Sequence, residues 1–180
     1  MSDKMATLRT RSLESVMNKD RIETTFNMVK EAMLVVGFSV NYRGMPAVVK
    51  SDSENCYILK THVVCLRDED CLAHELCHSL QTYETLAANC DKPWWARDCE
   101  QEAMAIEKIQ AIGLDKIKLL ISVIGSHWNS KEMFSWVSYF CAVLENKTHS
   151  KFATKPLHLS VSKRKSLNAL TDKLVNGDVK

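Results

Sequence analysis

Hydrophobic positions along the chain recur with two different periods. From about Asp20 to Val36 the apolar residues Ile22, Phe26, Val29, Met33 and Val36 fall three or four apart, the spacing of one helix face. Gly37 is placed to end that helix. The period then shortens. Phe38 to Tyr42 alternates, Arg43-Gly44 reads as a turn, and Ala47 to Val49 is a short strand candidate. After the polar turn Ser51 to Asn55, the segments Tyr57 to Leu59 and His62 to Leu66 predict one interrupted strand or two. The short links favour a small, mostly antiparallel sheet of three or four strands.

Helical spacing dominates afterwards. It predicts a helix from Asp68 or Glu69 to Thr85, with acidic residues in the first turn where the helix dipole favours them. A loop from Ala88 to Pro93 follows, and Pro93 suits a helix start. Further helices are expected over Trp94 to Ala111, Leu114 to Gly125, Lys131 to Leu144 and Ser162 to Val175. The pattern describes an α+β, helix-rich chain with a polar N-terminal arm over 1–18, a body over 19–145 and a basic C-terminal segment over 146–180.

Composition changes this picture little: 46% hydrophobic and 26% charged residues, with Gly 5 and Pro 3, fit a globular helix-rich domain. Charge changes it more. The net charge is only +2, but residues 146–180 hold 8 basic and 2 acidic residues, leaving the remainder mildly acidic. That segment is a candidate contact for nucleic acid or an acidic partner, and equally a solvated helix. The opening residues lack the apolar stretch of a signal peptide, and no apolar run is long enough to span a bilayer. Seven scattered cysteines without a Cys-x-x-Cys pair suit reduced thiols. The expected setting is cytoplasmic, away from membranes.

The segment that carries chemistry is His74-Glu75-Leu76-Cys77-His78. Histidines four apart on a helix share one face, one turn apart, and two imidazoles there can bind one zinc ion. Glu75, beside the first ligand, is placed to take a proton from a zinc-activated water. Residue types and spacing match the motif His-Glu-x-x-His. A third ligand has to come from elsewhere. Downstream, Glu100-Gln101-Glu102-Ala103 lies on the next predicted helix, where Cys99, Ile106 and Ile109 form an apolar stripe that includes position 102. A carboxylate near that buried surface needs a cation or a donor: zinc, or a salt bridge to Arg97 or Lys108.

The order His-Glu-Leu-x-His-x-x-Gln, a loop, then Glu-x-Glu-Ala resembles the gluzincin type of zinc metallopeptidase, including minimal domains of bacterial and phage proteins. The resemblance covers roughly Tyr57 to Glu107. It implies a zincin-like fold, with a histidine-bearing helix followed by a glutamate-bearing one. It implies a site of His74, His78 and Glu100, with Glu102 as the alternative third ligand, Glu75 as general base, and Ala103 allowing close helix approach. It also implies that the strand region Tyr57 to Leu66 pairs with an extended peptide. Met104 stands where several such families place Asp or Asn.

Other residues are weaker candidates. Cys71 lies one turn before His74 and is within reach of the same ion, although a buried cysteine is more often packing. Tyr83 is a candidate oxyanion donor but falls on a different helix face. The four tryptophans divide between cleft and core. The expected function is zinc-dependent hydrolysis of peptide bonds in an intracellular protein. The alternative is a catalytically inactive zincin-fold binding protein whose basic segment contacts nucleic acid or a protein partner.

Overall fold

The computed structural model describes residues 18–145 and 159–177. All of the N-terminal arm over 1–18 except Asn18, and much of the basic segment over 146–180, fall outside the described residues. Helix α1 (Lys19–Val36) is capped by the Asn18 side chain, which accepts from the Asp20 amide, and it buries Ile22, Phe26, Val29, Met33 and Val36 as the spacing predicts. Gly37 stops it in the left-handed region at φ 82°, with the Gly37 and Phe38 amides turned back onto the carbonyls of Leu34 and Met33. A β-carbon at Gly37 would also collide with the Ser126 carbonyl.

Three strands follow: β1 (Ala47–Lys50), β2 (Cys56–Ile58) and β3 (Val63–Leu66), in the order β1-β3-β2. The sheet is mixed, which corrects the expectation of a mostly antiparallel one. β2 and β3 form an antiparallel pair with Cys56 opposite Cys65, while β1 runs parallel to β3 with Ala47 opposite Val63. Each short link reverses the chain, so β1 and β3 point the same way. β1 then pairs with β3 rather than with its neighbour in sequence. The stretch Phe38 to Tyr42 contributes a single bridge, Val40 to Gln81, and no strand.

Helix α2 (Leu72–Leu80) runs through the centre, entered by a single 3₁₀ turn over Glu69–Cys71. Leu72, Leu76 and Leu80 are fully buried or nearly so, and the helix packs on α1, on β3 and on α4 (Asp98–Ile112). The expected continuous helix to Thr85 is broken. Gln81 is extended (ψ 150°), and a short α3 (Tyr83–Ala87) restarts after Thr82, whose hydroxyl caps the Thr85 amide. The break is held from outside: the Arg43 guanidinium donates to the Ser79 carbonyl at 2.8 Å and also to the Gln81 carbonyl, and the Asn41 amide reaches the Leu80 carbonyl.

Helix α4 starts at Asp98, later than expected, because Trp94–Ala96 forms a separate 3₁₀ turn. Gly113 (φ 95°) divides it from α5 (Leu114–Ile124). Helix α6 (Ser130–Leu144) opens with a capping box of Asn129 and Glu132, and α7 (Val161–Val175) is capped by Ser160. α4 packs most extensively on α6, and α7 lies on α5 and α6 through buried Leu167 and Thr171. Among the described residues, no helix is long and apolar enough to cross a membrane.

Candidate metal centre

The two histidines of α2 and the first glutamate of α4 come together where these helices pack. The imidazoles of His74 and His78 lie edge to face, 4.9 Å between ring centres. Glu100 bridges them: Oε2 is 3.0 Å from His74 Nε2 and Oε1 is 3.3 Å from His78 Nε2. These three side chains form the one group of potential metal ligands found among the described residues. A tetrahedral ion with ligands at 2.0–2.1 Å has ligand–ligand edges of about 3.3–3.4 Å. The two Nε2–O separations are close to that, and one donor from each residue lies within 4.8 Å of the other two, so a small side-chain movement would close the set on a small divalent cation.

The far nitrogens of both rings are engaged. His74 Nδ1 is 2.8 Å from Glu107 Oε1, two helical turns beyond Glu100 on the same face of α4. His78 Nδ1 donates to Gln81 Oε1 at 2.7 Å. With each Nδ1–H directed at an acceptor, each Nε2 is left for the centre, the usual arrangement behind a metal-ligating histidine. Burial opposes a charge on His74, but hydrogen bonds to Glu100 and Glu107 outweigh it and raise its pKa to about 10. Burial acts against ionisation of Glu100 too, yet its contacts with His74 and His78 prevail and bring it down to about 2. The metal-free site therefore holds an imidazolium where a cation would sit.

Glu75 is 5% exposed and lines the same cleft, and its Oε2 is buried without a hydrogen-bond partner. Burial pushes its carboxyl upward, against the pull of His78 and His74. An ionisable oxygen buried without a donor is costly to keep for structure alone. The residue itself lines the cleft in front of the histidines.

Glu102, the alternative third ligand, points elsewhere. It is 3% exposed and accepts from Gln81 Nε2 at 3.1 Å and from the Ser130 hydroxyl at 3.0 Å. Burial raises it to about 7, with those two donors pulling the other way. Among the described residues neither glutamate forms an ion pair with Arg97 or Lys108; Glu100 pairs with the two histidines, and the Arg97 side chain donates to the Lys92 carbonyl. Cys71 lines the cleft but stands outside the three-residue cluster. Tyr83 is exposed, with its ring under the Arg43 guanidinium at 4.8 Å, and does not line the cleft. The sequence assigned no role to Glu107, or to Gln81, although Gln81 is the last position of the motif His-Glu-Leu-x-His-x-x-Gln. Both lie at helical spacing from a ligand, seven after Glu100 and three after His78.

The cleft in front of the cluster has a volume of about 750 Å³. Cys56 and Tyr57 of β2 form one wall, with Leu59 and Trp94 beside them. β2 is an edge strand, paired only to β3 among the described residues. Of the tryptophans, Trp94 lines the cleft and is exposed, Trp136 is fully buried, and Trp128 packs on Trp136 at 5.6 Å between ring centres. Comparison with protein-family models, curated proteins and solved structures finds no match.

Proposed function

We propose that this chain is a zinc-dependent peptidase whose metal is held by His74, His78 and Glu100 and whose general base is Glu75. The observation that carries the reading is the convergence of two Nε2 atoms and a carboxylate on one point, with both Nδ1 atoms tied back and an unpartnered buried carboxylate beside them. Zinc, when bound, would polarise the scissile carbonyl and make water acidic enough to react near neutral pH. Glu75 would accept the proton of the attacking water and pass it to the leaving amine. The free edge of β2 would hold an extended peptide by backbone pairing along the cleft wall.

The test is metal content by elemental mass spectrometry on the untagged full chain beside His74→Ala. About one zinc per wild-type chain is expected by the donor count, absent from the variant. Digestion of an unfolded protein should follow the metal, ceasing on chelation and returning with zinc. A wild-type chain that neither carries nor takes up zinc would sink the reading.

A second reading is a binding protein on the same scaffold. One observation favours it: Lys163, Arg164 and Lys165 are exposed in the first turn of α7, where a helix dipole disfavours positive charge. Deleting residues 146–180 would also remove buried Leu167 from the core, so charge substitution is the cleaner probe. Loss of a salt-sensitive partner on replacing the three charges, with zinc retained, would support this second reading.

A further inference from the structure

We infer that Gln81 is a positioning residue for the metal centre, holding His78 through a relay that runs Ser130–Glu102–Gln81–His78. The inference rests on the metal site proposed above and goes beyond it, because it assigns a task to two buried polar residues that bind no ion.

The chemistry of the partners fixes the direction of the relay. Gln81 Nε2 lies 2.8 Å from the Cys99 carbonyl and 3.1 Å from Glu102 Oε2. A backbone carbonyl can only accept, so the amide nitrogen of Gln81 must face α4 and its oxygen must face His78. That oxygen takes the His78 Nδ1–H, which leaves Nε2 as the ring nitrogen facing the centre, available to a metal ion. The far end is anchored as well: Glu102 Oε1 receives the hydroxyl of Ser130, the first residue of α6.

The backbone of Gln81 is as constrained as its side chain. It is fully buried, bridged to Val40, and its carbonyl receives Arg43. The Val40–Arg43 segment thus fixes the backbone of Gln81, α4 fixes its side-chain amide, and the amide fixes one ring. Had α2 continued as a helix through this position, that backbone would be tied into the helix ladder and closed to Val40. The helix break after Leu80 is therefore part of the site.

A purely structural hydrogen bond would tolerate any substitution that preserves the fold. A directional relay responds to the order of donor and acceptor. The experiment measures zinc affinity by chelator competition on the full chain at pH 8, alongside the melting temperature of each metal-free protein. Gln81→Glu removes the donor and sets two carboxylates against each other, and affinity should fall about ten- to a hundredfold. The exchange Gln81→Glu with Glu102→Gln restores a donor between positions 81 and 102, though not the one to the Cys99 carbonyl, and should recover about tenfold of that loss. Gln81→Met serves where Gln81→Glu does not fold. It should show a similar loss, with no recovery when combined with Glu102→Gln.

Wild-type affinity in Gln81→Glu, or an exchange variant no tighter than the single one, would overturn the relay. So would affinities that simply track melting temperature across the set. These failures leave the zinc reading standing, whereas a wild-type chain without zinc removes both.

Discussion

Two helix contacts of the molecule are built on opposite principles. Where α2 meets α4, the buried surface carries Glu75, His78, Gln81 and Glu102, most of them in directional hydrogen bonds. Where α5, α6 and α7 meet, it consists chiefly of apolar groups such as Ile117, Leu120, Met133, Phe140 and Leu167. Apolar burial is non-directional and proportional to area, so the second contact fixes the fold without fixing a single hydrogen. The first has to satisfy each buried donor and acceptor or bear the desolvation cost of the one left out. Stability and chemistry are thereby assigned to different faces of one bundle, and each should be damaged separately.

The sharpest separation is Glu75→Gln. It keeps size and removes the proposed base, so on the peptidase reading peptide hydrolysis should drop about 10²–10⁴-fold in a steady-state assay while zinc content holds. Trp136→Ala does the reverse: it empties a fully buried site and should cost about 3–5 kcal/mol in denaturant unfolding, with zinc stoichiometry intact in the folded fraction. Glu107→Ala lies between, because it frees His74 Nδ1 at the cleft wall. About ten- to a hundredfold weaker zinc binding is expected by chelator competition, with a lower metal-free melting temperature as well, since His74 loses one of the two carboxylates that hold its proton.

The next effect follows from charge. His74, raised to about 10, is protonated at neutral pH, whereas Glu100, lowered to about 2, is already ionised. A zinc ion must expel the proton on His74, so affinity rises with pH, by about tenfold per unit below pH 10. Competition titrations at pH 6, 7 and 8 would show this slope, and a flat profile would mean that His74 is not a ligand. The smallest effect is expected for Lys163, Arg164 and Lys165 together changed to Ser. Unfolding free energy should move by no more than about 0.5 kcal/mol, as for other exposed positions.

The same contrast explains what could be read from the chain. Apolar spacing located α1, α5 and α6 closely, because burial of one face at a period of 3.6 leaves a direct mark on the residues themselves. It failed at Leu80, where the helix stops. The cause lies with Val40, Asn41 and Arg43, some 40 positions earlier, and no local pattern reports a partner that distant. The parallel pairing of β1 with β3 was hidden for a related reason: short links set the direction of each strand but not its neighbour. At the site, the positions His74, Glu75 and His78 were legible as a pattern of residue types, whereas Glu100 was preferred to Glu102 only through the family resemblance. Glu102 was legible only as a buried carboxylate awaiting a partner. Its partners, Gln81 and Ser130, look like ordinary polar residues until packing brings them within 3.1 Å.

The shortness of α2 has a consequence for the life of the protein. Nine residues are too few for a helix to persist alone in water, so in the unfolded chain His74 and His78 seldom stand one turn apart, and Glu100 is elsewhere. A metal that binds the proposed site would thus recognise the folded chain and hardly the unfolded one. At a free concentration of a hundred times its dissociation constant, it would add about 2.7 kcal/mol to folding stability. Zinc supply would then set how many molecules survive as well as how many are active, and metal starvation would be felt first as turnover of the protein.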